Sequence, residues 1–146
     1  MTTRADVVAE AKTWLLTPYH HAACVKGAGV DCAYFLKAVF ESVGMVSPFV
    51  VTGYPRDWHL HNDEERYLNY VTQYAHRVDR AQPGDVALFK VGRVVSHGAI
   101  VVDWPLMIHS YHTRGVCYGS IEDGEFRDRK GNTRLHSIWS VFGEGK

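Results

Sequence analysis

Residues 94–102 read VVSHGAIVV and predict a strand in the middle of a β-sheet, because β-branched residues dominate the run. One imidazole, His97, interrupts this apolar run, which is an unusual place for an unpaired histidine. A second histidine, His109, lies twelve positions later on the next predicted strand. The two side chains are candidates for a polar pair in the sheet, although two half-exposed histidines with no shared role fit the pattern as well.

The connection between the two strands determines whether the histidines share a face. If residues 103–105 form a three-residue turn, Ala99 pairs with His109. His97 then lies on the same face, diagonal to His109 and within roughly 7–8 Å of it. A turn of even length would place the two rings on opposite faces of the sheet. The sequence leaves both arrangements open.

Four further segments after Pro83-Gly84-Asp85 are short, rich in β-branched or aromatic residues and separated by turn residues. They span residues 86–89, 106–111, 115–120 and 137–142. Because predicted helices precede these strands, the order predicts an α+β domain with N-terminal helices packed on a C-terminal antiparallel sheet. The polar segment 122–132 is interpreted as a solvated loop, with an insertion near a site as the alternative.

Two helices are predicted from their ends and their apolar spacing. The first spans residues 4–16, with Thr3 as its N-cap and a stop imposed by Pro18. The second opens at Asp31, runs to about residue 43 and ends at a left-handed Gly44.

A third helix is predicted over about residues 63–76, where Tyr67, Leu68, Val71 and Tyr74 recur at helical spacing. Residues 19–30 and 45–61 predict loops. The second of these loops carries four side chains that are candidates to line a cleft, namely Tyr54, Trp58, His59 and His61.

Length and charge narrow the classes of function. The 146 residues predict one domain spanning residues 1–146. The 16 basic and 16 acidic side chains balance, which argues against a nucleic-acid binder. No apolar run reaches about 18 residues, so we expect no insertion into a membrane. The first residues lack an apolar signal core, so we expect the chain to be cytoplasmic when it is synthesised.

Cys32 is the thiol with the strongest local case for reactivity. It follows the predicted N-cap Asp31, and the unpaired N–H groups of a first helical turn stabilise a thiolate. The alternative is that Cys32 is a small buried core residue, a common fate for a free cysteine. Cys24 lies in a predicted loop and Cys117 in a predicted strand, and both are expected to be inert.

Histidine spacing raises a second possibility, a metal site. The sequence contains His20-His21, His59-x-His61 and His109-x-x-His112. Histidine is a common zinc ligand, but these spacings match no specific metal template. We therefore expect neither a metal nor another cofactor.

Taken together, five short pieces resemble the NlpC-type family of cell-wall cysteine peptidases. The pieces are TPY at residues 17–19, DC at 31–32, PGDV at 83–86, HGAIV at 97–101 and IHS at 108–110. The resemblance implies a papain-like α+β fold, in which a helix carrying the nucleophile packs on a sheet carrying the base. It also implies hydrolysis of peptide bonds in peptidoglycan stem peptides, often between γ-D-glutamyl and a diamino acid.

Carried over residue by residue, the resemblance makes Cys32 the nucleophile and His97 the general base. His109 then orients the imidazole of His97, and Tyr19 lines the site and assists the oxyanion. Asp31 matches the acid before the cysteine, which in some relatives helps to hold a substrate amino group. Tyr34 and Ser96 are two further substrate-binding candidates in this sequence.

The sequence departs from the family pattern at three positions. Ala33 and Tyr34 stand where the family has serine and glycine, and Gly98 stands where it usually has valine. The compact form resembles peptidases of phage tails, which implies tail proteins as partners and action on the cell wall from a virion. The alternatives are a catalytically silent structural tail protein on the same fold, and a thiol amidase or acyltransferase.

Overall fold

The computed structural model of this chain describes residues 1–46 and 71–143. Two helices, α1 (Arg4–Lys12) and α2 (Cys32–Ser42), precede most of the strands. The strands are β1 (Cys24–Val25), β2 (Gly29–Val30), β3 (His76–Val78), β4 (Val86–Val91), β5 (Val94–Asp103), β6 (Leu106–Tyr111), β7 (Gly115–Ser120) and β8 (Leu135–Ser140). β1 and β2 form a ribbon, and the other six form an antiparallel sheet in the order β3-β8-β4-β5-β6-β7. The predicted α+β class is confirmed, while the extent of the domain stays a prediction.

Both helix starts follow the predicted capping chemistry. Thr3 and Asp6 form a reciprocal capping box at the start of α1. Asp31 caps α2 by accepting a hydrogen bond from the backbone N–H of Tyr34, and Gly44 adopts the left-handed conformation beyond its end, with φ of 76°. These caps set where each helix begins, so Cys32 is the first residue of α2.

The first helix ends earlier than predicted, at Lys12 instead of residue 16. The backbone N–H groups of Trp14 and Leu15 bond three residues back, which tightens the chain into turns. Leu16 then takes a left-handed conformation with φ of 74°, which no helix can continue. The chain therefore leaves the helix well before Pro18.

The sheet has a separate apolar cluster on each face. Phe35 and Val39 of α2 pack with Ile100 and Ile108 on one face. Ala87, Phe89, Ala99, Val101, Met107 and Phe126 form the second cluster. Burial of each large apolar side chain contributes about 1.5–3 kcal/mol, so packing on the first cluster holds α2 firmly against β5 and β6.

The hairpin of β5 and β6 combines an even turn with a bulge. Asp103 pairs with Leu106, so the turn itself has two residues, Trp104 and Pro105. The register shifts between Val101 and Asp103, which leaves Val102 as an extra residue in β5. The register therefore returns to the one that a three-residue turn would give, with Ile100 opposite Ile108.

The segment before α2 is more ordered than the predicted loop. It contains the β1–β2 ribbon and is tied to the edge of the sheet. The carbonyl of Thr17 accepts from the N–H of Val116 at 2.8 Å, and the Ser110 hydroxyl donates to the carbonyl of Val30 at 2.9 Å. These contacts hold the chain on both sides of Tyr19 against the sheet.

Two segments differ from the predictions in the middle and late parts of the chain. Residues 71–74 are helical, but β3 begins at His76, because pairing with β8 overrides the predicted helix there. Residues 124–126 form a short 3₁₀ turn whose Phe126 is buried, so segment 122–132 is not a wholly solvated loop.

Some predictions lie outside the described residues. They are the start of the third helix, residues 63–70, and the four cleft candidates Tyr54, Trp58, His59 and His61. Within residues 1–46 and 71–143, no helix is both long and apolar enough to cross a bilayer.

We predict that Gly115→Ala destabilises the protein strongly. Gly115 has φ of 72°, and an added Cβ would overlap the carbonyl oxygen of Thr17. The left-handed conformation costs about 1–2 kcal/mol for alanine, and the overlap adds about 1–3 kcal/mol. Urea unfolding of the variant should show the summed loss of unfolding free energy.

Gly131→Ala is the matched control for this change. Its φ is 81°, but nothing lies within 4 Å of an added Cβ, so only the conformational cost of about 1–2 kcal/mol applies. Equal losses for the two variants would show that the close approach of β7 to Thr17 does not matter.

Candidate active site

The Cys32 thiol meets the sheet at a bulge in β5. Its Sγ donates to the carbonyl oxygen of Ser96 at 3.6 Å, and the side chain is half-buried. Phe89 pairs with His97 whereas Lys90 pairs with Val95, so Ser96 is an extra, unpaired residue in β5. The first turn of α2 therefore contacts the strand immediately before His97.

His97 and His109 form a close pair on one face of the sheet. This is the arrangement predicted for a three-residue turn between their strands. Nε2 of His97 lies 2.8 Å from Nδ1 of His109, and the rings are nearly perpendicular at 82°. Both rings also contact Phe126, which belongs to the apolar cluster on the far face of the sheet from α2. The pair is thus held in a mostly apolar setting, with His109 fully buried.

Burial keeps both imidazoles neutral at pH 7. Desolvation, together with the nearby His112, lowers the pKa of His97 to about 4. Desolvation also lowers the pKa of His109, with further lowering by His97 and Arg114. A neutral His97 has one unprotonated ring nitrogen and can therefore accept a proton.

Asp31 is buried, and its two carboxylate oxygens bind two different parts of the backbone. One accepts from the N–H of Tyr34 at 2.9 Å in the first turn of α2. The other accepts from the N–H of Ala22 at 2.7 Å in the preceding loop. This geometry supports a positioning role for Asp31 beside Cys32, and its contact with a substrate amino group stays a prediction.

The remaining predicted residues lie around the start of α2 and β5. Tyr19 is half-buried and bridges to Val30, two residues before Cys32. Tyr34 is half-buried and packs against the core on the helical face of the sheet. Ser96 is buried at the bulge. Of these three residues, Ser96 contacts the thiol through its carbonyl, and the roles of all three toward a substrate stay predictions.

Three residues around His109 were missed by the sequence analysis. Oε2 of Glu125 lies 3.5 Å from Nε2 of His109, and the Cys117 sulfur lies 3.8 Å from the same nitrogen. An added Cβ on Gly119 would come within 3.0 Å of that nitrogen, so the ring occupies space that glycine leaves free. Alternation along β7 could have placed Cys117 and Gly119 on this face, but no local signal marked Glu125.

The metal alternative gains no support from the part of the chain that the structure covers. Among residues 1–46 and 71–143, no group of three or more His, Cys, Asp or Glu side chains is arranged to hold a metal ion. His59 and His61 lie outside those ranges.

Comparisons with known proteins agree with the family resemblance and with the fold. The model of the NlpC/P60 family matches residues 16–134. The solved NlpC/P60 domain of the peptidoglycan hydrolase SagA has a TM-score of 0.65 and 21% identity, over 95% of this chain and 99% of that one. No curated protein matches the sequence.

Two further solved structures share the fold across longer proteins. An NlpC/P60 family protein from Bacillus cereus ATCC 10987 has a TM-score of 0.65 and 22% identity, over 94% of this chain and 39% of that one. The peptidoglycan hydrolase RipB from Mycobacterium tuberculosis has a TM-score of 0.60 and 15% identity, over 95% and 64%. The predicted papain-like fold of the NlpC type is thereby confirmed.

The lowered pKa of His97 predicts a loss of stability in acid. Between about pH 6.5 and pH 4, His97 binds fewer protons in the folded state than in the unfolded state. The free energy of unfolding therefore falls as the pH drops through this window, by up to about 3 kcal/mol for His97 alone. Denaturant titrations at pH 7, 5.5 and 4.5 should show the decline.

His97→Gln removes this group and should make the decline shallower. His76→Gln is the control, because His76 is an exposed histidine on β3. If the His97→Gln variant lost stability in acid as steeply as the unaltered protein, burial of His97 would not be the cause.

Proposed function

This chain belongs to the NlpC/P60 family, and on that premise we propose that it is a cysteine peptidase that hydrolyses peptide bonds in peptidoglycan stem peptides. The observation that carries the proposal is the contact between Cys32, at the start of α2, and the strand whose His97 is paired with His109. SagA and RipB, which share the fold, are both named as peptidoglycan hydrolases. They motivate the choice of substrate.

The tautomers of the histidine pair support His97 as the base. If Nε2 of His97 carries its proton and donates to Nδ1 of His109, then Nδ1 of His97 is left unprotonated. That nitrogen takes the proton of the Cys32 thiol and gives a thiolate–imidazolium pair. The helix N-terminus favours the thiolate, since the helix dipole places partial positive charge at that end.

The reaction then proceeds through an acyl-enzyme. The thiolate attacks the scissile carbonyl carbon, and the resulting oxyanion accepts hydrogen bonds from the backbone N–H of Cys32 and from the hydroxyl of Tyr19. Protonated His97 gives its proton to the leaving amine as the C–N bond breaks. Neutral His97 next takes a proton from water, and the hydroxide attacks the thioester to release the acid and restore the thiol.

The bond between γ-D-glutamyl and a diamino acid is the one we propose as the target, following the family resemblance. The substitutions Ala33 and Tyr34 bear on this choice, because Tyr34 adds a ring two residues after the nucleophile. Association with a phage tail, and the location of the protein in a virion, stay predictions from the same resemblance.

Cys32→Ala should abolish the release of fragments from peptidoglycan, because alanine has no nucleophile. Mass spectrometry of muropeptides after incubation measures this and identifies the bond that is cut. Cys24→Ala is the matched control, since Cys24 is an exposed thiol on the ribbon, and it should retain activity.

Three other results would redirect the proposal. Activity that survives in a clean Cys32→Ala preparation would reject Cys32 as the nucleophile. A folded but silent protein whose Cys32 reacts with a thiol probe no faster than free cysteine would favour a structural protein on this fold. Acyl transfer or amide cleavage outside the peptide stem would keep the thiol chemistry and change the substrate.

A further inference from the structure

A carboxylate lies behind the histidine pair, on the side remote from His97. Glu125 belongs to the 3₁₀ turn Gly124–Phe126, and its side chain is only 10% exposed. Its Oε2 lies 3.5 Å from Nε2 of His109, while Nδ1 of His109 faces His97. The three side chains therefore form a continuous line that begins at His97 and ends at Glu125.

We propose that Glu125 is a positioning residue that acts through His109, so that the relay behind the thiol is His97–His109–Glu125. This inference rests on the proposed function, because it assigns a role within the same reaction. It adds a negative charge behind two imidazoles, the base His97 and the orienting His109, that are both neutral at pH 7.

The argument starts from the tautomer that catalysis requires. For His97 to accept a proton at Nδ1, its Nε2–H must donate to His109, so Nδ1 of His109 must be unprotonated. A neutral His109 then carries its proton on Nε2, which is the nitrogen beside Glu125. A carboxylate only accepts hydrogen bonds when it is ionised, so Glu125 selects this tautomer of His109.

Cys117 is the other group near that nitrogen, and it is a poorer acceptor. Its sulfur lies 3.8 Å from Nε2 of His109. Burial raises the pKa of the Cys117 thiol, so the sulfur stays protonated at neutral pH. A thiol sulfur accepts hydrogen bonds weakly, whereas a carboxylate accepts strongly. The separation of 3.5 Å from Glu125 is long for a hydrogen bond, but such bonds are often long before substrate binds.

The surroundings hold Glu125 in place. Arg114, which precedes β7, forms an ion pair with the same carboxylate. Phe126, the next residue, is buried against His109, with ring centroids 4.8 Å apart. Among the described residues, the titratable or charged groups facing His109 are His97, Tyr111, Arg114, Cys117 and Glu125.

The test compares Glu125→Gln with Glu122→Gln in muropeptide hydrolysis. Glu122 is in the same segment, is 75% exposed and pairs with Arg127, so its variant controls for loss of one carboxylate there. We expect Glu125→Gln to lower kcat by about tenfold with little change in KM, the scale on which supporting groups act. Glu122→Gln should leave both constants unchanged.

The pH profile separates a relay from a purely structural role. In the relay, the charge of Glu125 favours protonated His97 beside the thiolate. Its removal should therefore move the alkaline limb of kcat/KM to lower pH, by on the order of one pH unit. Loss of structural support alone would lower the rate and leave the limb where it is, which would overturn the proposal. Arg114→Gln keeps the Glu125 charge and removes a positive charge that lowers the pKa of His109, so it should not move that limb to lower pH.

A measurement on the unaltered protein covers the case in which Glu125→Gln does not fold. The ¹⁵N–¹H correlation pattern of labelled histidine reports which ring nitrogen carries the proton, and we expect the Nε2–H tautomer of His109. The Nδ1–H tautomer would overturn the proposal. If the unaltered protein cuts no muropeptide, the proposed function fails, whereas this measurement still tests the link from Glu125 to His109.

Discussion

The site depends on the register of one strand, β5, against its two neighbours. β5 carries an extra residue on each side of His97, Ser96 toward β4 and Val102 toward β6. The first leaves a carbonyl that accepts from the Cys32 thiol, and the second restores the parity that brings His97 and His109 to one face. Because a one-residue slip sends every side chain to the opposite face, both bulges are needed for this arrangement.

The position of the Cys32 thiol against the sheet depends on how α2 begins. Asp31 is buried, and its two carboxylate oxygens accept hydrogen bonds from the backbone of the loop and of the helix. The start of the helix and the loop are therefore fixed relative to each other. Packing of Phe35 and Val39 against the sheet then fixes the direction of the helix. The nucleophile candidate is therefore positioned by one capping interaction and by the apolar face of α2.

Burial of the histidine pair affects both the stability of the fold and the protonation state that catalysis needs. Burial lowers the pKa of each imidazole, so the pair favours the neutral state in which His97 can act as a base. The same burial disfavours the imidazolium that forms when the thiol is deprotonated. A carboxylate near the far nitrogen of His109 compensates for this in part, because it interacts favourably with positive charge along the line of rings.

Much of this arrangement could be predicted from local chemistry. The caps at Thr3 and Asp31, the strands around His97 and His109, and the position of Cys32 at a helix start all follow from side-chain preferences and alternation over a few residues. These signals are local because a cap or a strand face is defined by neighbours in sequence.

The remaining features depend on contacts between distant parts of the chain. The two-residue turn at Trp104 and Pro105 would by itself place His97 and His109 on opposite faces of the sheet. The extra residue Val102 in β5 brings them to the same face. Pairing with β8 places His76, the last residue of the predicted third helix, in β3, and Glu125 reaches His109 from a segment that was predicted to be a solvated loop. Register and long-range pairing are set by the summed packing of the whole sheet, which no short window of sequence contains.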